Sequence, residues 1–200
     1  MVPGAPPLVL ASGSSTRAAL LRAAGLRFEA CPARIDEDAV KQAAHADGLA
    51  PDDAALLLAE LKAARVRAPG ALVIGADQLL VCEGRWFDKP RDRNEAREHL
   101  LALRGREHAL VTAIVCLRDG AAVWRHVAAP RLRTRRFSDA FLDAYLAAEG
   151  TAVLASVGAY RLEGLGVQLF EVVEGEHAAV LGLPLLALLG FLRDHGALLA

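Results

Sequence analysis

The chain alternates between short apolar runs and longer segments in which apolar residues recur three and four positions apart. The first pattern is typical of buried strands and the second of amphipathic helices. The short runs predict strands at residues 7–11, 28–33, 71–76 and 167–173. The longer segments predict helices at residues 16–24, 51–67, 91–103 and 138–148, and residues 178–192 predict a strand, a turn and a buried helix.

Two pairs of neighbouring apolar runs predict antiparallel hairpins. Residues 79–82 and 85–87 flank Glu83-Gly84, and residues 108–117 and 121–127 flank a turn around Gly120. The length of the second pair suggests strands that reach between two lobes. Because strand pairs and helices are mixed along the chain, we expect an α/β fold with a mixed sheet and not a purely parallel one.

Composition excludes several classes of protein. With 54% hydrophobic and 24% charged residues, the 200-residue chain is expected to fold and not to be disordered. A net charge of -1 lacks the signature of a protein whose main partner is nucleic acid or an anionic membrane. The uncharged run at residues 178–192 is interrupted by Gly182 and Pro184 and is shorter than the roughly 20 residues of a membrane span.

The N-terminal segment and the cysteines favour a cytoplasmic location. Residues 1–7 carry no basic residue ahead of an apolar stretch, so we expect no secretory signal. The three cysteines, Cys31, Cys82 and Cys116, are far apart and lack zinc-ligand spacing. We expect them to be core residues and not disulfide partners or nucleophiles.

Lysine is scarce in this chain. Of 23 basic residues, only Lys41, Lys62 and Lys89 are lysines, and the others are arginines. One explanation for a lysine in such a chain is that its position needs a compact charge on a flexible side chain, which an arginine guanidinium does not provide. The alternative is an ordinary surface residue, and position along the chain has to decide between them.

Residues 12–15 connect the first predicted strand to the first predicted helix. A turn of small residues at such a junction exposes backbone N–H groups at a positive helix end, which suits a phosphate group. The alternative is that Ser14 or Ser15 caps the helix without any ligand. Spacing alone favours the cap, because the segment lacks a full P-loop or Gly-x-Gly-x-x-Gly pattern.

The residue types offer one coherent set for phosphate chemistry. Glu37 and Asp77 follow predicted strands, and Asp77 with Gln78 follows the strand at residues 71–76, at the end where open α/β sheets bind ligands. Carboxylates can bind Mg²⁺ or Mn²⁺ and activate water, whereas cations neutralise phosphate oxygens. The alternative is a set of surface ion pairs. The candidate cations are Arg17, Lys62 and Lys89.

Six short motifs occur in the order seen in the Maf family, and they cover most of the chain. The chain therefore resembles these nucleoside triphosphate pyrophosphatases, which are also discussed as septum-formation inhibitors. The motifs are Leu10-Ala11-Ser12-Gly13-Ser14, Leu58-Ala59-x-x-Lys62-Ala63, Ile74-Gly75-Ala76-Asp77-Gln78, Lys89-Pro90, Gly158-Ala159-Tyr160-x-x-Glu163-Gly164-Leu165-Gly166 and Gly182-Leu183-Pro184-Leu185.

The resemblance implies a Maf/inosine-triphosphatase-like α/β fold: a single domain over residues 1–200, with a long twisted mixed sheet in two lobes and a central cleft. It implies hydrolysis of a nucleoside triphosphate to the monophosphate and pyrophosphate, with Mg²⁺ or Mn²⁺. The expected partner is that substrate, with no nucleic acid and no membrane, and a homodimer is left open. The implied roles are Asp77 as the proton acceptor, Glu37 and Asp77 as the metal pair, Arg17, Lys62 and Lys89 as phosphate-facing cations, and Ser12, Gly13 and Ser14 as backbone donors.

The chain departs from the family pattern in the phosphate-binding segments. The usual Ser-Pro-Arg-Arg is Ser14-Ser15-Thr16-Arg17 here, and the usual Asp-Lys pair is Ala155-Ser156. These losses allow slower turnover, another triphosphate pose, or replacement by Arg161 or another arginine. They also keep open a nucleotide-binding regulator of septum formation with little hydrolytic activity.

Gln78 and Glu163 stand where the family members acting on uridine and thymidine triphosphates carry Thr and Gln. This combination resembles the branch that acts on 7-methylguanosine triphosphate. A carboxylate at Glu163 could accept hydrogen bonds from guanine N1–H and N2–H₂. Two alternatives stay open, a pyrophosphatase for dTTP or UTP and a Glu163 that only caps glycine N–H groups in its own loop.

Overall fold

A computed structural model, which describes Val2 and residues 4–199, has the expected mixed α/β architecture. The expectation that residues 1–7 hold no secretory signal rests partly on Met1 and Pro3, which lie outside the described residues. The strands are β1 (Leu8–Leu10), β2 (Glu29–Ala30), β3 (Leu72–Cys82), β4 (Arg85–Phe87), β5 (Glu107–Arg118), β6 (Ala121–Ala128), β7 (Arg131–Thr134) and β8 (Phe170–Glu174). The α-helices are α1 (Ser15–Ala23), α2 (Glu37–Ala46), α3 (Pro51–Ala64), α4 (Arg93–Leu103), α5 (Asp139–Glu149), α6 (His177–Val180) and α7 (Leu185–Asp194).

The strands form an open mixed sheet in the order β2-β1-β3-β5-β7-β8, with β4 beside β3 and β6 beside β5. Strand β1 pairs in parallel with β2 and β3. Both predicted hairpins are confirmed, because β4 pairs antiparallel with β3 and β6 pairs antiparallel with β5. The mixed sheet expected from the sequence is therefore confirmed.

The chain divides into two compact units. The first consists of the chain up to Gln78, Thr112–Ala128 and the chain from Glu176 onward. Its core joins β1, β3 and β5 to α1 and α7, through Leu10, Leu21, Ile74, Ile114 and Leu188 among others. The first unit therefore depends on sequence segments from both ends of the chain.

The second unit consists of Leu79–Val111 and Ala129–Gly175. Its core contains fully buried Leu100, Leu103 and Leu132. His108 is buried as well, and its Nε2 lies 2.9 Å from the hydroxyl oxygen of Tyr160. The single domain and the central cleft implied by the resemblance stay predictions.

Most predicted elements are present, with shifted ends, but the predicted end of β3 is wrong. The strand does not stop before Asp77: it continues to Cys82, because buried Leu79 and Leu80 resume the apolar pattern after Asp77-Gln78. Asp77 therefore lies within a strand and not at its end.

One mostly exposed helix and one short strand were missed, and two apolar segments were misassigned. Helix α2 follows the acidic residues at 36–38, where Asp36 Oδ1 accepts the Ala39 N–H at 3.0 Å and acts as the N-cap. Strand β7 is rich in arginine. The strand expected within residues 178–192 is helix α6, and the strand expected to start at 167 starts at 170, after a 3-10 segment at Leu165–Leu169.

The expectation of core cysteines is confirmed for Cys82 and Cys116 but is wrong for Cys31, which is only partly buried. Cys31, Cys82 and Cys116 are all free thiols, and the last two are buried. Burial raises the pKa of Cys116 to about 12. No helix in the described part of the chain is both long enough and apolar enough to cross a membrane.

We expect acid to destabilise the protein partly through His108. Burial lowers the pKa of His108 from 6.5 to about 4. Between these two pH values the imidazole is protonated in the unfolded chain and neutral in the folded chain. Stability supplied by neutral His108 is complete above pH 6.5 and is lost as the pH falls toward 4, by about 2–3 kcal/mol. Urea unfolding at pH 7.5 and 4.5 should show a smaller loss for His108→Gln than for the wild type. An equal loss in both proteins would contradict this assignment.

Candidate functional site

The segment between β1 and α1 is folded by its own serine side chains. Ser14 is the N-cap of α1, and its Oγ accepts the Arg17 N–H at 3.3 Å. Ser12 Oγ accepts the Ser14 N–H and Arg17 Nη1, each at 3.2 Å. The capping interpretation is therefore confirmed for Ser14. The phosphate-binding role of Ser12, Gly13 and Ser14 stays a prediction.

Arg17 is a buried cation, 9% exposed, at the start of α1. Its Nε donates to the Gly182 carbonyl oxygen at 2.7 Å, which ties α1 to the turn ahead of α7. Burial lowers the pKa of Arg17, and the carboxylates of Asp77 and Glu37 act in the opposite direction. The guanidinium therefore belongs electrostatically to the same cluster as the two predicted acids.

Helix α3 approaches β3 unusually closely at Gly75. A Cβ atom placed on Gly75 would lie 2.1 Å from the Ala59 carbonyl oxygen and 2.9 Å from the Ala63 Cβ. Only glycine in the strand and alanine on the helix permit this approach. The contact places Lys62, on the same helix, beside Asp77, two residues along the strand.

The Lys62 ammonium group bridges the two predicted acids. Its Nζ lies 2.6 Å from Asp77 Oδ1 and 2.9 Å from Glu37 Oε1. The Lys62 and Asp77 side chains are only 8% and 4% exposed, whereas Glu37, in the first turn of α2, is 39% exposed. A buried ammonium between two carboxylates is the central feature of the first unit.

Asp77 keeps one carboxylate oxygen unused. Its Oδ2 is buried, and within the described residues it has no hydrogen-bond partner. An unpaired buried carboxylate oxygen is costly unless a ligand, a metal or water uses it. Among the residues that the structure describes, no group of three or more His, Cys, Asp or Glu side chains could hold a metal. The two carboxylates fit Mg²⁺, which often takes one or two protein carboxylates and completes its shell with phosphate and water.

Gln78 is held by the protein through its amide nitrogen. Nε2 donates to Thr112 Oγ1 at 2.8 Å and to the carbonyl oxygens of Ala179 and Val180, each at 3.1 Å. Since carbonyls only accept hydrogen bonds, these contacts fix which end of the amide faces them. Gln78 is half-buried, and its Oε1 is the end that faces away from these acceptors.

Lys89 and Glu163 lie in the second unit. Lys89 is exposed and follows β4. Glu163 lies in the loop before the Leu165–Leu169 segment, and its Oε1 is 3.7 Å from Arg161 Nε. The structure thus brings Arg17, Glu37, Lys62 and Asp77 into one cluster in the first unit, whereas it places Lys89 and Glu163 in the other.

Sequence reasoning missed three supporting groups: Thr112, the Gly182 carbonyl and Glu149. Thr112 is fully buried within an apolar strand pattern, and its Oγ1 also donates to the Ala179 carbonyl oxygen at 3.1 Å. Glu149 ends α5 and accepts hydrogen bonds from Arg161 and Leu165. A buried Thr in strand β5 was the one detectable signal. The other two depend on tertiary contacts alone.

Gly75→Ala should destabilise the first unit and separate Lys62 from Asp77. The added methyl group would overlap the Ala59 carbonyl oxygen, so α3 has to move, at a cost of about 2–3 kcal/mol in unfolding free energy. Gly190→Ala is the matched control, because nothing lies within 4 Å of its new Cβ on α7. Equal unfolding free energies for the two variants in urea would contradict the steric argument.

Comparison with known proteins places the chain in a family. The Maf-like protein family model matches residues 7–195. The chain is 55% identical over 193 residues to a nucleoside triphosphate pyrophosphatase of Granulibacter bethesdensis, covering 96% of this chain and 98% of that protein. It is 51% identical over 195 residues to a 7-methyl-GTP pyrophosphatase of Rhizobium meliloti, covering 96% and 98%. The chain belongs to the Maf-like protein family.

Proposed function

We propose that the protein hydrolyses a nucleoside triphosphate to the nucleoside monophosphate and pyrophosphate. The observation that carries the proposal is the buried Lys62 bridge, which leaves one oxygen of Asp77 without a partner. The names of relatives at about half identity support the same reaction. A panel of natural and methylated triphosphates, assayed for released pyrophosphate with Mg²⁺ or Mn²⁺, tests it. A folded protein that binds nucleotides but releases no pyrophosphate would favour the regulator of septum formation.

Asp77 is the proton acceptor in this reaction. Its Oδ1 is held by Lys62, so Oδ2 receives the proton of the attacking water. The water oxygen forms a bond to phosphorus while one P–O bond of the α,β-bridge breaks, and the electron pair leaves with the departing phosphate oxygen. Lys62 holds the carboxylate in place and supplies positive charge at the phosphates.

Glu37 and Asp77 would hold the divalent cation. Mg²⁺ or Mn²⁺ supplies positive charge that offsets charge developing on phosphate oxygens. Arg17 adds a fixed guanidinium beside this cluster, and its Gly182 contact sets its direction. Lys89, in the second unit, is the remaining cation that the resemblance assigns to the phosphates.

Arg161 does not replace the arginine and the lysine that the family pattern has and this chain lacks. Its Nη1 is 3.3 Å from Glu149 Oε2, and its Nε is 3.7 Å from Glu163 Oε1. Arg161 therefore serves its own loop, and we do not assign it to the phosphates. We therefore assign phosphate binding in the first unit to Arg17 and Lys62, together with the metal.

The base is a guanine, with 7-methylguanosine triphosphate as the preferred substrate. Gln78 turns its Nε2 toward protein carbonyls, which leaves Oε1 as the acceptor for a ligand N–H. Glu163 is also an acceptor, and guanine presents N1–H and N2–H₂ donors whereas uracil has one N–H between two carbonyls. The name of the Rhizobium meliloti relative agrees with this choice.

Asp77→Asn should fold and bind nucleotide but lose turnover by roughly 10²-fold or more, because the amide cannot accept the proton of the water. Pyrophosphate release gives kcat, and calorimetric titration with nucleotide in Ca²⁺ gives binding. Asp53→Asn, on an exposed position of α3, is the control and should keep wild-type kcat. Unchanged kcat in a folded Asp77→Asn protein would remove Asp77 from this role.

Glu163→Gln should narrow the preference for 7-methylguanosine triphosphate over UTP. The carboxylate accepts two guanine donors, whereas an amide accepts through one oxygen and presents an unmatched N–H₂, which costs roughly 1–3 kcal/mol. The measurement is the ratio of kcat/KM for the two triphosphates. A wild-type preference for UTP or dTTP that Glu163→Gln leaves unchanged would show that Glu163 does not set specificity.

A further inference from the structure

The loop that carries Glu163 is anchored on the last residue of α5. Glu149 is 7% exposed in its side chain. Its Oε1 accepts the Leu165 N–H at 3.1 Å, and its Oε2 accepts Arg161 Nη1 at 3.3 Å. One buried carboxylate thus holds the chain on both sides of Glu163, two residues before it and two residues after it.

Two glycines of this loop allow neighbouring atoms to come unusually close to the backbone. A Cβ on Gly164 would lie 2.9 Å from Glu149 Oε1, and a Cβ on Gly166 would lie 2.4 Å from the Arg161 carbonyl oxygen. Side chains at these positions would push the carboxylate away or open the turn. Gly164 therefore permits the Glu149 contact, and Gly166 permits the turn back to the Arg161 backbone.

A second contact from α5 fixes the start of the same segment. The Tyr145 hydroxyl donates to the Ala159 carbonyl oxygen at 3.3 Å. Tyr145 and Glu149 are four residues apart and so lie on one face of the helix. Helix α5 thus positions residues 159–165 from a single face.

Arg161 connects Glu149 to Glu163, the acid that we propose contacts the base. Its guanidinium lies between Glu149 and Glu163, and the Glu163 side chain is 37% exposed. Held on one side by a buried carboxylate, Arg161 restricts where the Glu163 carboxylate can point. Fixing an acceptor in advance favours the ligand whose donors match it, because less ordering remains on binding.

We propose that Glu149 is a positioning residue for base selection, acting through Arg161 and the Leu165 N–H on the carboxylate of Glu163. This inference rests on the proposed function. It predicts that loss of Glu149 affects recognition of the base and leaves the chemical step intact, because the Lys62 contacts with Glu37 and Asp77 do not involve it.

The test is a double-mutant cycle on substrate preference. The ratio of kcat/KM for 7-methylguanosine triphosphate to that for UTP is measured in the wild type, Glu149→Gln, Glu163→Gln and the double variant. Glu149→Gln should lower the ratio about tenfold through KM, with kcat within about threefold, and should have no further effect once Glu163 is changed. Glu171→Gln, on an exposed ion pair in the same unit, is the control and should leave the ratio unchanged.

An equal effect of Glu149→Gln in both backgrounds, or a fall in kcat with an unchanged ratio, would overturn the proposal. Hydrogen exchange at the Leu165 amide gives a readout that needs no turnover, and Glu149→Leu should speed it at least about tenfold. Unchanged exchange at Leu165 would also overturn it. Absence of pyrophosphate release by the wild type would instead reject the proposed function, and the exchange measurement would still decide whether Glu149 anchors the loop.

Discussion

The close contact of helix α3 with strand β3 is the constraint on which the first unit depends. Gly75 has no side chain, so the helix backbone at Ala59 and Ala63 lies directly on the strand. That spacing sets the reach of Lys62 to Asp77 at 2.6 Å. Separating the buried Lys62–Asp77 ion pair would lower the stability of the protein, since an uncompensated buried charge costs several kcal/mol. Packing of small residues thus determines the electrostatics.

The charges of the cluster formed by Arg17, Glu37, Lys62 and Asp77 balance without any ligand. Lys62 and Arg17 supply two positive charges, and Asp77 and Glu37 supply two negative ones. A triphosphate that arrives alone would disturb this balance, whereas a triphosphate that arrives with a divalent cation disturbs it less. The chemistry assigned to the carboxylates and the neutrality of the cluster therefore both favour a metal-bound form of the substrate.

The sequence predicted the mixed sheet, both hairpins and most helices, because alternating burial leaves a direct trace in the order of apolar residues. It failed where burial leaves no such trace. Helix α2 buries only Ala44, strand β7 is short and rich in arginine, and Asp77-Gln78 interrupted an apolar pattern that β3 carries through to Cys82. The resemblance pointed to Arg17, Glu37, Lys62 and Asp77, which the structure brings together, and their roles stay predictions. It did not point to Thr112 or Glu149, because their partners lie in other elements and leave no local pattern.

The first unit is built from three separate stretches of the chain, and this affects its folding during synthesis on the ribosome. Arg17 needs the Gly182 carbonyl, and Gln78 needs the carbonyls of Ala179 and Val180. All three acceptors belong to the stretch from Glu176 onward, which is translated after the other two stretches of this unit. A nascent chain therefore carries the Arg17 guanidinium and the Gln78 amide without these partners until the stretch from Glu176 onward has been made. The core of the first unit can therefore close only after that stretch has left the ribosome and packs against β1 and β3.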